Sequence, residues 1–258
     1  MLALAPIRMA LVAKRAGLPT VIHLTGPGTG GLDVGFEEFL DGMCVAISQF
    51  TSEWFEQRFG KRPPVIYPVI IPESYRTCTT RENVTFINPI PFKGLDIALE
   101  IAKCCPDIPF VFVEGWLLRS DRRLELAQRL AEHHNVTLLE RQLDMRRVYE
   151  RCRILLAPSI WEEGYGRVVT EAQISGIPAV ASARGGLPEA VGPGGILVDP
   201  DGPIDDWIAA IRKLWDDEEH YAQLSAAARR HAARPDINFD CQMDAWEEIL
   251  SRAAQRLC

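Results

Sequence analysis

Short apolar runs alternate along this chain with segments whose apolar residues recur every three or four positions, a pattern of strands and amphipathic helices in turn. Residues 153–157, which read Arg-Ile-Leu-Leu-Ala, predict a fully buried strand, and residues 158–165 carry loop-forming types. A helix is predicted over about residues 166–175, capped by Gly176 and stopped by Pro178, with residues 179–182 as the next strand. Strand, loop, helix and strand in that order imply a parallel sheet. An earlier unit resembles it: residues 84–88 as strand, 89–93 as loop, and 94–104 as a helix with Leu95, Ala98, Leu99 and Ala102 on one apolar face.

The two ends follow the same logic. A helix over residues 6–16 should end at Gly17 and Pro19, followed by a strand at 20–24, a glycine-rich loop and a strand at 43–47. A helix capped by Ser48 or Thr51 should then run to Phe59, and residues 65–67 close the region. In the last third, Ile204, Trp207, Ile208, Ile211 and Trp215 repeat at helical spacing, and a second helix is expected over residues 218–232, before Pro235. The final helix, residues 239–257, is predicted to bury Phe239, Met243, Trp246, Leu250, Ala253 and Leu257. The chain is therefore α/β, with its best internal boundary near residues 72–82.

Candidate chemistry concentrates between the strand at 153–157 and the helix after it. Glu163 and Glu171 stand eight residues apart around Gly164-Tyr165-Gly166. Were that segment wholly helical it would span roughly 12 Å, enough for two carboxylates to hold different hydroxyl groups of one extended ligand. Glycines there let backbone approach closely, and the helix start attracts an anion. Lys93 stands at the start of the other helix, where a point cation can neutralise a phosphate group.

Glu163 and Glu171, followed by Gly176-Ile-Pro178, Gly185-Gly-Leu-Pro-Glu189 and Gly195-Ile-Leu-Val-Asp-Pro200, resemble the donor half of glycosyltransferase family 4. The resemblance implies a retaining enzyme of GT-B fold, with a Rossmann-like C-terminal donor domain over residues 76–236. A partial Rossmann-like acceptor-side domain would occupy residues 1–75, and a C-terminal helix over 237–258 would pack back toward it. It implies that Glu163 contacts the transferred sugar, that Glu171 holds the ribose hydroxyls, and that Lys93 stabilises the departing diphosphate. Lys93 and Glu163 are thus the expected catalytic residues. Asn88, Gly94, Gly164, Tyr165, Gly166 and Glu171 form the expected donor-binding set. Family members commonly carry an Arg where Asn88 stands, so one cation of the leaving-group site is missing here, and either another residue substitutes or turnover is slow. The implied reaction is metal-independent front-face transfer from a nucleoside-diphosphate sugar to an unknown saccharide, lipid or small-molecule acceptor. No cofactor is expected. Base contacts would come from backbone near residues 140–143. The alternatives are a non-catalytic nucleotide-sugar-binding remnant and a nucleotide-sugar epimerase of the same architecture. The N-terminal region resembles only the second half of an acceptor domain, so a missing upstream segment, a dimer or a partner fragment is an expectation too.

Composition narrows the field further. At 258 residues, 47% hydrophobic and 24% charged, the chain can fill one large or two modest cores, and its net charge of −7 gives no long-range attraction to nucleic acid. Seven cysteines without metal-ligand spacing suggest buried free thiols in a reducing compartment. No apolar run approaches a membrane span and no signal peptide is read, so a cytoplasmic protein, at most peripheral at the membrane, is expected. Other features carry less weight. Gly26-Pro-Gly-Thr-Gly-Gly31 satisfies GxGxxG but lacks the following acid of a dinucleotide site and suits an acceptor-side loop better. Asp199-Pro-Asp201 matches a metal-binding DxD pattern but reads as a strand end and turn. His23 ends an apolar strand, two residues short of Thr25, where family members place a catalytic His. A paired-carboxylate glycosidase finds no other support in the chain.

Overall fold

A computed structural model describes residues 2–3, 10, 12–13, 15–27, 44–116 and 120–255. Along the chain the strands are β1 (Leu2–Ala3), β2 (Val21–Leu24), β3 (Cys44–Ala46), β4 (Asn83–Ile87), β5 (Phe110–Val113), β6 (Val136–Leu139), β7 (Cys152–Ala157), β8 (Ala179–Ser182) and β9 (Gly195–Val198). The helices are α1 (Gln49–Phe59), α2 (Leu95–Cys104), α3 (Ser120–Leu130), α4 (Arg146–Tyr149), α5 (Arg167–Gln173), α6 (Leu187–Val191), α7 (Ile204–Asp216), α8 (Glu218–His231) and α9 (Phe239–Gln255). They form two compact units. The first holds Met1–Ile70, Glu162–Tyr165 and Arg234–Cys258, and the second holds Ile71–Trp161 and Gly166–Ala233.

The second unit is built on a six-stranded parallel sheet in the order β6-β5-β4-β7-β8-β9. A parallel sheet needs crossover helices, and these cover its faces, which is why β4, β7 and β8 are buried at almost every position, the polar Asn83 and Thr85 of β4 included. Phe86 and Phe112 meet edge to face at 5.1 Å in the core, and α7 inserts Trp207, Ile211 and Leu214 against the same cluster. The stripe expected on this last helix is therefore present, with Leu214 in it and Trp215 only partly buried. Asp217 caps α8 by accepting from the His220 backbone N–H at 2.9 Å.

In the first unit β1, β2 and β3 pair in parallel in that order. α1 is capped by Ser48, whose hydroxyl accepts from the Thr51 N–H at 2.9 Å, and ends on Gly60 at φ 75°. Residues 65–67 close the region without forming a strand; Val65 makes a single bridge to Ala46. α9 lies on β2, with Ala245, Trp246, Ile249 and Ala253 against Val21, Val45 and Ile66. Its Gln242 amide donates to the carbonyls of Tyr67 at 2.9 Å and Pro68 at 3.4 Å. The buried stripe is thus rotated from the expected one: Trp246 and Ala253 belong to it, whereas Phe239 and Leu250 are exposed. The face that packs on β2 also carries the buried Gln242 against these two carbonyls.

Two other expectations change. Cys44, Cys105 and Cys152 are buried, but Cys78, Cys104 and Cys241 are exposed free thiols. The helix expected at residues 6–16 and the tip of the glycine-rich loop at 28–31 lie largely outside the described residues, although Ala10, Val12, Ala13 and Arg15 are helical.

Candidate functional site

The second sheet grows outward from β4 in both directions: the chain runs through β5 to β6 at one edge, then places β7, β8 and β9 on the other side. Strand order reverses between β4 and β7, and in an open parallel sheet the crevice beyond the carboxyl ends of such a pair accommodates a ligand. The residues singled out in this unit sit on the loops there or, for Glu171, on the helix that follows one of them. From β4 the chain passes Asn88, a 3-10 turn at Pro91–Lys93 and Gly94, the N-cap of α2. From β7 it passes Pro158, Ser159, Ile160 and Trp161.

These two loops are sewn together. The backbone N–H groups of Ile160 and Trp161 donate to the Phe92 carbonyl at 3.2 and 3.3 Å, and the Ser159 hydroxyl donates to the same oxygen at 3.3 Å. Gly94 marks the closest approach, because its φ is 87° and a Cβ placed there would lie 1.9 Å from the Pro158 carbonyl oxygen. Lys93 is thereby held one residue from the junction. Its ammonium lies 5.5 Å from the centroid of the Trp116 ring, against which Phe92 also packs at 5.9 Å. Trp116 in turn is fixed by Asn88, whose side-chain oxygen accepts from the Trp116 backbone N–H at 2.8 Å. Asn88 adopts φ 62°, a conformation its short polar side chain tolerates. At the position where a second phosphate cation is expected, this chain has a residue that ties the loop after β5 to the loop after β4.

The carboxylate of this unit is Glu171, on α5. That helix begins only at Arg167, after Gly166 at φ 105°, so the segment from Glu163 to Glu171 is half loop and half helix. Glu171 is 7% exposed. Its Oε2 accepts from the Tyr149 hydroxyl at 3.0 Å, its Oε1 lies 3.5 Å from Arg167 Nε, and Tyr75 is a further hydrogen-bonding partner. Burial pushes the Glu171 carboxyl above its usual range, and Arg167, Tyr149 and Tyr75 oppose that rise. Tyr149 is fully buried, and burial together with the adjacent Glu171 holds its phenol well above the ordinary value, so it is the donor of the pair. No sequence pattern pointed to Tyr149, Tyr75 or Trp116; an aromatic residue beside a strand end reads as core.

Glu163, Gly164 and Tyr165 group with the first unit. A Cβ on Gly164 would lie 2.0 Å from the Thr25 carbonyl oxygen, and the Thr51 hydroxyl donates to the Gly164 carbonyl at 3.3 Å. Tyr165 is buried, its ring against Tyr67 at 5.3 Å and its hydroxyl accepting from Arg234 at 2.7 Å. Its ring and hydroxyl are thus both engaged within the first unit. The stretch that reads as one motif is shared between the two units. His23 belongs to the first unit as well, with its ring edge to face with Trp246 at 5.1 Å and Nε2 buried without a hydrogen-bond partner. Burial lowers its pKa below the usual imidazole range. Asp199 and Asp201 form a turn after β9. Asp199 accepts from the Asp201 backbone N–H at 3.0 Å, and Asp201 pairs with Arg184, which also donates to the Ile160 carbonyl at 2.9 Å. Among the described residues no group of three His, Cys, Asp or Glu side chains is arranged to hold a metal ion.

The family model of glycosyl transferases group 1 matches residues 76–231, more than half the chain. The chain belongs to that family. Similar curated proteins include an exopolysaccharide phosphotransferase of Streptomyces coelicolor, 29% identical over 228 residues that make up 82% of this chain and 23% of the relative. A D-inositol 3-phosphate glycosyltransferase of Mycolicibacterium smegmatis is 36% identical over 165 residues, 60% of this chain and 37% of that protein. The chain therefore spans between about a quarter and somewhat over a third of the length of these relatives. Among solved structures, Anabaena Alr3699/HepE in complex with UDP and glucose superposes with a TM-score of 0.81 at 24% identity, covering 95% of this chain and 75% of that one. The group 1 transferase fold seen here is of the GT-B type that the sequence resemblance implies. Among the described residues no helix is long and apolar enough to cross a membrane.

Proposed function

We propose that this protein binds a nucleoside-diphosphate sugar, with UDP as the nucleotide, at the crevice beyond β4 and β7, and transfers the sugar with retention to a hydroxyl-bearing acceptor. The observation that carries the reading is the joining of a cation-bearing loop and a carboxylate-bearing loop-helix segment at one strand-order reversal, Lys93 on the first and Glu171 on the second. Lys93 and the start of α2 stabilise the diphosphate as the bond to the anomeric carbon breaks, while the acceptor attacks from the same face. Glu171 accepts hydrogen bonds from the ribose hydroxyls, and Glu163, in the loop preceding α5, contacts the transferred sugar. Metal independence is part of the proposal, since Lys93 supplies positive charge and the Asp199 and Asp201 carboxylates are engaged by Asp201 N–H and Arg184. Similarity to a protein solved with UDP and glucose supports the choice of nucleotide. Exposed thiols at Cys78, Cys104 and Cys241 suit a reducing compartment, and the cytoplasm is where we place the reaction.

Metal-free calorimetry with UDP, GDP, ADP and their sugars tests the site. UDP should bind in the micromolar range, and Glu171→Ala should weaken it by about 1–3 kcal/mol through lost hydrogen bonds to the ribose. Lys93→Ala should weaken UDP while sparing uridine, because it removes only a phosphate contact. A folded protein that binds none of the diphosphates sinks the donor-site reading, and an inverted anomeric centre in the product sinks retention.

A further inference from the structure

A carboxylate that reads ribose hydroxyls must remain charged and must present a fixed oxygen, yet Glu171 is 7% exposed, an environment that favours the neutral acid. Its two oxygens have different surroundings. Oε2 points inward to the Tyr149 hydroxyl at 3.0 Å, and Oε1 lies toward Arg167, which is half exposed, at 3.5 Å. Tyr149 is itself 0% exposed and ends α4, immediately before β7. The other acceptor within its reach is the Val168 carbonyl at 3.5 Å, so the phenol proton belongs to Glu171.

We propose that Tyr149 is a positioning residue for nucleotide recognition: its hydroxyl pins Oε2 of Glu171, so that Oε1 is the oxygen presented to the ribose. The inference rests on the donor-site reading above. Arg167 approaches Oε1 from one helical turn earlier on α5, and its 51% exposure leaves it free to swing aside for a ribose. Tyr75 approaches the same carboxylate from the segment after the 3-10 turn at Pro72–Ser74, and the Cys152 thiol lies behind Tyr149. Of these groups Tyr149 is the one that is both fully buried and hydrogen-bonded to the carboxylate, so it sets orientation most rigidly.

Tyr149→Phe removes the hydroxyl and keeps the ring. Tyr221→Phe is its control, since Tyr221 is another fully buried tyrosine of the same unit whose hydroxyl has no hydrogen-bond partner. Binding of UDP and of 2′,3′-dideoxy-UDP is measured by calorimetry from pH 5 to 9. Tyr149→Phe should weaken UDP about tenfold and leave the dideoxy ligand unchanged. The acid loss of UDP affinity should move to higher pH, because the carboxylate has lost a hydrogen bond that favours its charged form. Tyr221→Phe should do neither. Unchanged UDP binding in Tyr149→Phe, or equal weakening of both ligands, overturns the proposal while leaving the donor site standing. A wild-type chain that binds the two ligands alike breaks the donor-site reading of Glu171 instead. Should Tyr149→Phe not fold, the ring resonances of 13C-labelled Tyr149 in the wild-type chain must respond both to Glu171 titration and to UDP; indifference to both overturns the positioning role.

Discussion

Replacing Gly94 by alanine imposes two separable costs on one junction. The first is conformational: at φ 87° an L side chain is strained, which costs about 1–2 kcal/mol. The second is steric. The new Cβ would lie 1.9 Å from the Pro158 carbonyl oxygen, and because that atom is backbone it cannot rotate out of the way. Relief requires a shift of on the order of 1 Å between the start of α2 and the loop after β7, an overpacking cost of about 1–3 kcal/mol. The same shift pulls on the Ile160 and Trp161 hydrogen bonds to Phe92, now 3.2 and 3.3 Å. Together the substitution should destabilise the second unit by about 2–5 kcal/mol, or roughly 5–20 °C in Tm at the usual size scaling. Lys93 moves with the junction, so UDP affinity should fall about tenfold or more. Gly60→Ala supplies the control, because Gly60 has φ 75° but nothing within 4 Å of a new Cβ, leaving the conformational cost alone. Thermal unfolding by circular dichroism and calorimetric UDP binding are read for both variants. If Gly94→Ala costs no more stability than Gly60→Ala and binds UDP normally, the contact between the two loops does not position Lys93 and the junction argument fails.

Two further outcomes follow from the supporting structure. Arg153 is 7% exposed and donates to the carbonyls of Leu214 at 3.3 Å and Trp215 at 3.1 Å and to Glu218 at 2.5 Å, with its guanidinium over the Tyr221 ring at 4.5 Å. Arg153→Met should cost about 2–4 kcal/mol in urea unfolding, with UDP affinity retained, because it strips the end of α7 of its donor at the amino end of β7, away from the ligand crevice. His23 has its folded pKa below the unfolded 6.5, so the native state resists protonation. The stability it supports is whole above pH 6.5 and is lost as pH falls through that value toward the lower folded pKa; His23→Phe should flatten the fall in Tm between pH 7 and 5, and an unchanged slope would assign the acid sensitivity to another group.

The strands and helices of the second unit were legible because the central strands of a parallel sheet, buried on both faces, have a strong local signature. β8 and α2 lie within one residue of the segments that pattern alone predicts, and glycines at positive φ mark their ends, as at Gly94 and Gly176. Where local pattern is ambiguous the reading slipped. α9 carries two apolar stripes a fraction of a turn apart, and the face that turns inward is the one that packs Trp246, Ile249 and Ala253 on the first sheet and sets Gln242 against the carbonyls of Tyr67 and Pro68. Residues 65–67 have strand composition but lie beside β3 for a single bridge, which depends on how far the neighbouring strand extends and not on their own sequence.

The candidate site divides along the same line. Residues that would touch the ligand stand on short stretches with their own punctuation: Lys93 beside a glycine cap, Glu171 after Gly166. Residues that hold them come from elsewhere in the chain. Tyr149 reaches Glu171 across 22 positions and Asn88 reaches Trp116 across 28, and neither spacing carries a periodic signal. Asn88 shows why this matters for chemistry. Judged by its position alone it is a missing cation, and turnover would be expected to suffer. In the folded unit it holds the backbone of Trp116, whose ring lies beside the Lys93 ammonium, so on the proposed reading the position would help to place a charge instead of carrying one. The strength of Lys93 against the proposed diphosphate would then depend on how rigidly that loop is tied. On the proposed donor reading, the electrostatics of this site would be set by a hydrogen bond accepted by a neutral side chain as much as by the count of cations.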